Sequence, residues 1–177
     1  SNALACPKPI AYLISLEGKV EVRRHDGRQW SRGQLEQAFC LGDRIRVGTD
    51  SRAGIEMINE TVLRLDQHST LAFPEPEETG FSFVRLLRGA LHLISRVKTS
   101  LDIRTPFVNA GLEGTEIGVN LLPDASVVSV IEGKVVARNA QGKLQLLTGQ
   151  VASASVGAAP VLRLDLKPDD AVRWAIH

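Results

Sequence analysis

The side chains that could carry metal or acid–base chemistry are few and widely spaced along this sequence. The four histidines are His25, His68, His92 and His177, and none has a second histidine or a cysteine at ligand spacing. Because metal sites need clustered ligands, this spacing predicts structural or surface roles for the imidazoles. We expect no metal and no cofactor.

Two carboxylates in a glycine-rich stretch, Glu113 and Glu116, are the best candidates for an acid–base pair. On a bent strand beside Gly114 we expect them instead to be solvated or bonded to turn amides. None of the serines stands in the Gly-x-Ser-x-Gly or Ser-x-x-Lys context that activates a hydroxyl. The sequence therefore predicts no catalytic residue and no enzyme activity.

The two cysteines occupy the ends of predicted elements. Cys6 precedes the first strand, and Cys40 comes just before a Gly-Asp turn. They are either separate reduced thiols or a disulfide; the disulfide is favoured because no metal ligand or catalytic histidine lies nearby. Closing this loop would stabilise the fold by about 3 to 4 kcal/mol in the chain-entropy model. A disulfide would imply an oxidising compartment.

Charge and composition limit the classes of partner. The 177-residue chain has a formal net charge of +1, with acids and bases interspersed, and 5% aromatic residues. Such a chain has no net field to attract nucleic acid or anionic membrane, and few rings on which bases could stack. We expect no nucleic-acid partner. No apolar run is long enough to span a bilayer, so we expect no membrane insertion by this segment.

The candidate histidines, glutamates and cysteines lie in a sequence of short alternating apolar runs separated by turns, which is a pattern of β-strands. The central stretch, 101–120, predicts strand, kink at Thr105-Pro106, strand, tight turn across Gly111 to Gly114, and strand. In the N-terminal half a turn follows about every eight to ten residues, which is typical of a sandwich, barrel or roll. The stretch from Gln29 to Cys40 predicts an irregular connection.

Two glycine-centred segments of the second half each predict a pair of strands. The runs 81–87 and 90–95 form a hairpin around Arg88-Gly89, and the runs 126–131 and 135–138 flank 132–134. The segment 16–23 is echoed at 131–138, with a weaker copy at 89–93, which suggests two-strand repeats sharing one apolar layer. The predicted fold class is all-β: a short-stranded β-roll or sandwich, or a solenoid-like stack, with a short C-terminal helical segment.

The last residues and one internal loop differ from this pattern. Residues 160–166 predict a final extended run, and 167–176 a helix start with proline and two acids in its first turn. We expect an all-β domain over 4–165 and a tail over 166–177 that leads into a further helical segment. The acidic, proline-rich loop 74–80 predicts a surface excursion, with an acidic contact loop as the less favoured alternative.

The order and spacing of a set of turn and strand positions resemble a FecR domain over most of residues 10–155. Its signature residues are Gly18, Gly42, Asp43, Thr105, Pro106, Gly114, Thr115, Glu116 and Gly133. The resemblance implies a periplasmic all-β domain without known catalysis. In the best-known members this domain belongs to an anti-sigma regulator that relays a signal from an outer-membrane TonB-dependent receptor.

The C-terminal ending and the positions of Cys6 and Cys40 resemble a FecR subgroup in which a secreted domain precedes tetratricopeptide-like helical repeats. This implies an envelope scaffold or sensor module. Our leading hypothesis is a non-enzymatic periplasmic domain that engages an envelope protein through its strand edges or the loops at 74–80 and 111–116. The alternative is a small-ligand or glycan (cell-wall) binding module.

Overall fold

The computed structural model describes residues 6–77, 83–95, 97 and 100–176. Within these residues the chain forms fifteen strands and one helix. They are β1 (Ala11–Glu17), β2 (Val20–Arg23), β3 (Ser31–Arg32), β4 (Ala38–Phe39), β5 (Arg44–Val47), β6 (Arg52–Met57), β7 (Thr61–Leu65), β8 (Thr70–Ala72), β9 (Phe83–Ser95), β10 (Ser100–Arg104), β11 (Asn109–Leu121), β12 (Ala125–Asn139), β13 (Gly142–Leu147), β14 (Val151–Ser155), β15 (Val161–Leu162) and α1 (Pro168–Ile176). The predicted all-β class with a short C-terminal helix is confirmed.

The strands form one continuous sheet whose pairings divide into two layers. In the first layer the order is β4, β1, β6, β7, the second half of β9, the second half of β11, the first half of β12, β14 and β15. In the second layer the order is β3, β2, β5, β8, the first half of β9, β10, the first half of β11, the second half of β12, and β13. Three long strands therefore belong to both layers.

One aliphatic core lies between the layers. Side chains along each strand point alternately to its two sides. On the inner side, Leu13 and Ile55 of the first layer belong to the same buried cluster as Val22 and Ile45 of the second. Each of these side chains is at most 1% exposed. Burying one such side chain contributes about 1.5 to 3 kcal/mol, so no single layer could remain stable with its apolar side in water.

The chain passes between the layers at corners. Between β1 and β2, β5 and β6, and β7 and β8 the strand is interrupted at the corner, whereas β9, β11 and β12 continue through it. The corner glycines Gly18, Gly89, Gly114 and Gly133 all have positive φ, between 53° and 107°. Glycine is favoured there because it has no Cβ to clash in the left-handed region. The repeated segments of the sequence coincide with three of these corners.

The hairpin predicted over 81–95 and the two separate strands predicted over 126–138 are wrong, with residues 81 and 82 outside the described residues. Residues 83–95 form the single strand β9, and residues 125–139 form the single strand β12. Gly89 and Gly133 bend these strands from one layer into the other instead of reversing them. A reversal and a corner both need positive φ, so the local signal is the same; the hydrogen bonds to distant strands distinguish them.

The central stretch needs a similar correction. The Thr105-Pro106 kink is the reversal itself, because β10 and β11 pair antiparallel from Arg104 opposite Asn109. The predicted tight turn lies inside β11, where the pairing register shifts between Glu113 and Glu116. Residues 111–116 are therefore a bulged corner of a strand and not a loop. The connection predicted as irregular contains the two-residue strands β3 and β4.

The predicted helix start is confirmed, with Asp169 and Asp170 in the first turn of α1. In the acidic loop, residues 74–77 lie outside any strand, while 78–80 fall outside the described residues. Helix α1 packs on the outer surface of the first layer. Its Val172 is 1% exposed.

Candidate functional site

Cys6 and Cys40 form a disulfide that fixes the N-terminal arm to the segment after β4. Their Cα atoms are 5.5 Å apart, across a sequence separation of 34 residues. The predicted pairing is confirmed. Because the bond lies where the first layer meets the turn before β5, it holds the start of the chain against the sheet.

A buried carboxylate organises the turn beside this disulfide. Asp43 is 1% exposed. Its Oδ2 accepts hydrogen bonds from Arg24 Nη1 at 2.6 Å and from the Cys40 amide at 2.8 Å, and its Oδ1 accepts one from the His25 amide at 3.1 Å. Arg24 Nη1 also donates to the Ala38 carbonyl at 2.8 Å. These charge-assisted bonds offset the free-energy cost of desolvating both ions. Asp43 therefore has a structural role, because it holds this turn in place.

Gly42 makes this turn possible. Its φ is +86°, and a Cβ there would lie 2.3 to 2.6 Å from three atoms of His25. Any side chain at position 42 would push the His25 imidazole away from the turn that the Asp43 hydrogen bonds hold in place. The Gly-Asp pair of the sequence pattern thus has two separate physical tasks, close approach by the glycine and hydrogen-bond acceptance by the aspartate.

A cavity of about 300 Å³ lies beside the disulfide. Near its rim, ligand atoms of His25, Glu75 and Glu77 all lie within 4.8 Å of one another, and His25 Nδ1 is 2.9 Å from Glu75 Oε2. These donor types occur in zinc sites. His25 and Glu77 are exposed, and solvated carboxylates commonly gather around an imidazole, so this geometry alone assigns no metal. Fifty residues separate His25 from Glu75, which hid the cluster from spacing rules.

The structure separates the two glutamates that the sequence offered as an acid–base pair. Glu116 Oε2 lies 2.9 Å from Nε2 of His92, whose side chain is 3% exposed. Glu113 lies on the other side of the corner, opposite Lys134 in the second layer. No acid–base pair forms between them. The His92–Glu116 contact joins β9 to β11 and gave no sequence signal, because 24 residues separate the partners.

The other signature residues lie at corners and at the β10–β11 turn. Thr105 Oγ1 lies 2.7 Å from Ser126 Oγ and accepts a bond from the Val108 amide at 3.0 Å. Pro106 follows within the same turn. Thr115 is buried against Gly133, and its Oγ1 has no hydrogen-bond partner. These positions shape the backbone where strands bend or reverse.

A hydroxyl from a neighbouring segment supports three of the corners. The Lys19 amide, after Gly18, donates to Ser51 Oγ at 2.8 Å, and the Ala90 amide, after Gly89, donates to Ser69 Oγ at 2.9 Å. At the third corner Gly133 itself donates to Thr148 Oγ1 at 3.0 Å. These bonds satisfy amides that the bend removes from the strand ladder.

The outer surface of the first layer carries a transverse row of mainly small residues. In register across the strands the row is Ser15, Gly54, Arg64, His92, Gly118, Ser129 and Val151. Helix α1 lies over it: a Cβ on Gly118 would be 2.4 Å from Cγ1 of Val172. Arg64 Nη1 donates to the Ala175 carbonyl at 3.0 Å. We call this surface the helix face.

The outer surface of the second layer carries a different transverse row, which we call the cationic row. In register across eight strands it is Arg23, Arg44, Ala72, Arg85, Arg104, Asn109, Arg138 and Lys143. The residues on either side of each position in its strand point into the core or onto the turns, so these side chains face outward. Sequence reasoning missed this row because its cations come from six strands.

Known families and structures extend this description. The family described as FecR protein matches residues 43–136. The chain belongs to the FecR family. The FecR match begins at Asp43 and includes the corners at Gly89, Gly114 and Gly133. The resemblance identified from the turn pattern is thereby confirmed.

Two crystal structures of a candidate anti-sigma factor from Parabacteroides distasonis ATCC 8503 are similar to this FecR chain. One has a TM-score of 0.65 and 17% sequence identity, covering 75% of this chain and 64% of that one. The other has a TM-score of 0.63 and 15% identity, covering 75% of this chain and 63% of that one. The chain thus spans less than two thirds of these structures. At such identities the likeness shows a shared fold.

None of the curated proteins matches the FecR chain. Among the residues that the structure describes, no helix has the length and apolar character needed to cross a membrane.

Proposed function

We propose that this FecR domain is a non-enzymatic signalling or scaffold module of the bacterial envelope that acts in the periplasm by engaging another protein. The observation that carries the proposal is membership of the FecR family together with a fold shared with a candidate anti-sigma factor. A protein of that name acts on another protein, a sigma factor. The signature residues shape corners and turns, in keeping with a docking domain.

The Cys6–Cys40 disulfide supports the location, because such bonds persist in oxidising compartments. Thiol trapping in intact cells tests it: both cysteines should resist alkylation until a reductant is added. Replacing both by serine should lower the free energy of unfolding by about 3 to 4 kcal/mol. Alkylation of the two thiols in untreated cells would contradict a periplasmic location.

Exposed outer strands support docking by edge pairing, since an outer strand presents unpaired amides and carbonyls. In the described sheet β13 and β15 are outer strands, and they expose Leu147 by 50% and Leu162 by 39%. The part of the acidic loop from Pro74 to Glu77 offers a second contact. Residues 111–116 are not part of the proposed docking surface, because they form a corner within β11 and not a loop.

Site-specific photocrosslinking tests engagement of a protein. A photoreactive amino acid at Leu147 or Leu162 should give an adduct of defined mass with one envelope protein in cells. The matched control is Ile58, which is 60% exposed but lies in the turn between β6 and β7. Equal labelling at all three positions, or no protein adduct at any, would contradict docking at these edges.

The cavity beside the disulfide favours one alternative, a small-ligand or cell-wall glycan site, because about 300 Å³ is at the lower end of ligand pockets. Thermal-shift titration with soluble cell-wall fragments separates the two proposals. A fragment present at about 100 times its Kd should stabilise the domain by about 2.7 kcal/mol. Stabilisation by fragments without any protein adduct would favour the glycan module.

The proposal also includes the domain organisation. The all-β domain covers 4–165, the tail covers 166–177, and helical repeats follow the tail. The full-length gene product tests them. A tetratricopeptide-like region following residue 177 would support the scaffold role, and a cytoplasmic region joined through a membrane helix would instead support a sigma regulator.

A further inference from the structure

We propose that the cationic row binds an extended acidic segment of the partner protein. This inference rests on the proposed function, because it names the surface and the chemistry through which the domain engages a protein. The formal net charge is only +1. Even so, the described strands bring six cations into one register line across the second layer.

The cations form three pairs of direct neighbours. Arg23 is opposite Arg44, Arg85 opposite Arg104, and Arg138 opposite Lys143, with Ala72 and Asn109 between successive pairs. Like charges directly opposite one another destabilise a sheet. In the middle pair Arg85 and Arg104 both stack on the buried Phe83 ring, which gives that pair a structural role. The Arg23–Arg44 and Arg138–Lys143 pairs flank it, and their placement in the same line points to a role in binding.

Two cations of the row lack a carboxylate partner among the described residues. Arg138 Nη2 lies 3.5 Å from Asp102 Oδ2, while Arg44 and Lys143 have no carboxylate partner among the described residues. The Arg104 guanidinium stacks 3.6 Å from the centre of the Phe83 ring, and its Nε is buried without a hydrogen-bond partner. A carboxylate of a bound peptide would form charge-assisted hydrogen bonds with the arginine guanidinium groups of the row.

The spacing of the pairs fits an extended peptide. Neighbouring strands are about 4.8 Å apart, so successive pairs, three strands apart, are separated by about 14 Å. Four residues of an extended chain span nearly the same distance. The row therefore matches a segment of about ten residues with acidic groups at every fourth position.

The shape of the sheet favours a peptide over a nucleic-acid duplex. Each strand is rotated from its neighbour by roughly 20 to 25°, so the row follows a curved surface that a flexible chain can track and a stiff duplex cannot. Carboxylates of Glu21, Asp102 and Glu113 also point outward beside the row, on the same layer. They would repel a continuous polyanion but leave room for spaced acidic side chains.

A tryptophan at one end of the row provides a binding signal. The Trp30 ring lies 4.2 Å from the Arg46 guanidinium carbon and 5.4 Å from that of Arg23. The other tryptophan, Trp174, is in α1 on the helix face. In a Trp174→Phe variant the emission of Trp30 should change when a peptide occupies the row, whereas in a Trp30→Phe variant Trp174 should stay unaffected.

The test is a titration with a labelled peptide of about ten residues, in which glutamate pairs begin at positions 1, 5 and 9 and are spaced by serine and glycine. Its control is the same peptide with glutamine for glutamate. We expect binding of the glutamate peptide alone, and weakening of at least about tenfold in Arg44→Gln/Arg138→Gln/Lys143→Gln. The variant Lys8→Gln/Lys167→Gln/Arg173→Gln changes the net charge equally on exposed side chains outside the row, and should bind normally.

Three results would overturn the assignment. They are equal binding of both peptides, equal weakening in both triple variants, and tighter binding of a DNA duplex or of anionic phosphatidylglycerol vesicles than of the peptide. Failure here is separable from failure of the proposed function. If the photocrosslinked adduct at Leu147 persists in the row variant, protein engagement stands and the row is not its site.

Discussion

The two outer surfaces of the molecule have opposite character although the same long strands contribute to both. Across the helix face the row in register contains Gly54, Gly118 and Ser129, and α1 covers it. Across the second layer the corresponding row contains six cations in register. Small residues leave space for helix α1 of the same chain to pack. Neighbouring cations repel one another, and an acidic segment of another protein would relieve that repulsion.

This difference shows that overall composition is a poor guide to a surface. The same strand β9 contributes His92 to the helix face and Arg85 to the cationic row, because the corner at Gly89 turns its two halves into different layers. Net charge averages over both faces and conceals the contrast. The corners, which place each half strand on its own face, are therefore the features to perturb first.

The largest effect is expected from Gly89→Ala. Its φ is +84°, and the new Cβ would lie 2.5 Å from the Ser69 Cα, so backbone must move. We expect a loss of about 3 to 5 kcal/mol in the free energy of unfolding by urea titration. Gly149→Ala is the matched control, with φ +89° and no atom within 4 Å of the new Cβ; it should lose about 1 to 2 kcal/mol. Equal losses would show that the corner is not sterically constrained.

The next effect tests the covered surface. Val172→Asp should release α1 from the helix face, because a carboxylate cannot be buried over Gly118. The loss of stability should be about 1.5 to 3 kcal/mol, the value of one buried valine. Limited proteolysis should then cleave within 168–176, and His92 should become reactive to diethyl pyrocarbonate. Arg173→Gln, on a side chain 70% exposed, should do neither.

A smaller effect with the opposite sign sharpens the contrast. Neutralising Arg44, Arg138 and Lys143 together should raise the free energy of unfolding by about 1 kcal/mol, since two like-charged cross-strand pairs are relieved. Added salt should stabilise the wild type more than this variant. The control triple at Lys8, Lys167 and Arg173 should stay within about 0.5 kcal/mol of wild type. A destabilised row variant would contradict the claim that these neighbouring cations repel one another.

The smallest effect lies outside both rows, after β15. The hydrogen bond that Arg163 donates to Asp165 lowers the pKa of the Asp165 carboxylate. The same hydrogen bond raises the pKa of Arg163. A lowered carboxyl pKa adds stability above the unfolded pKa, which is lost as pH falls through the folded value. Arg163→Gln should therefore raise the Asp165 pKa in an NMR titration on the acid side. Both groups are exposed, so the unfolding curve should barely change.

The sequence predicted the fold class, the disulfide, the helix start and the family, because each depends on local pattern or on recognisable turn residues. It misassigned Gly89 and Gly133, since a corner and a reversal share the same backbone requirement. It also missed the cationic row, the His92–Glu116 contact and the cluster at His25. Those depend on which strands become neighbours, and register between residues as distant as Arg23 and Lys143 follows only from the assembled sheet.

An NMR titration that follows the arginine Nε–H resonances while the acidic ten-residue peptide is added tests the partner site on the second layer most directly. If the second layer holds the partner site, resonances of Arg23, Arg44, Arg104 and Arg138 should move together along one binding curve. Those of Arg52 and Arg64, in the first layer, should stay in place. Shifts confined to the first layer, or to Arg24 beside the disulfide cavity, would contradict a partner site on the second layer.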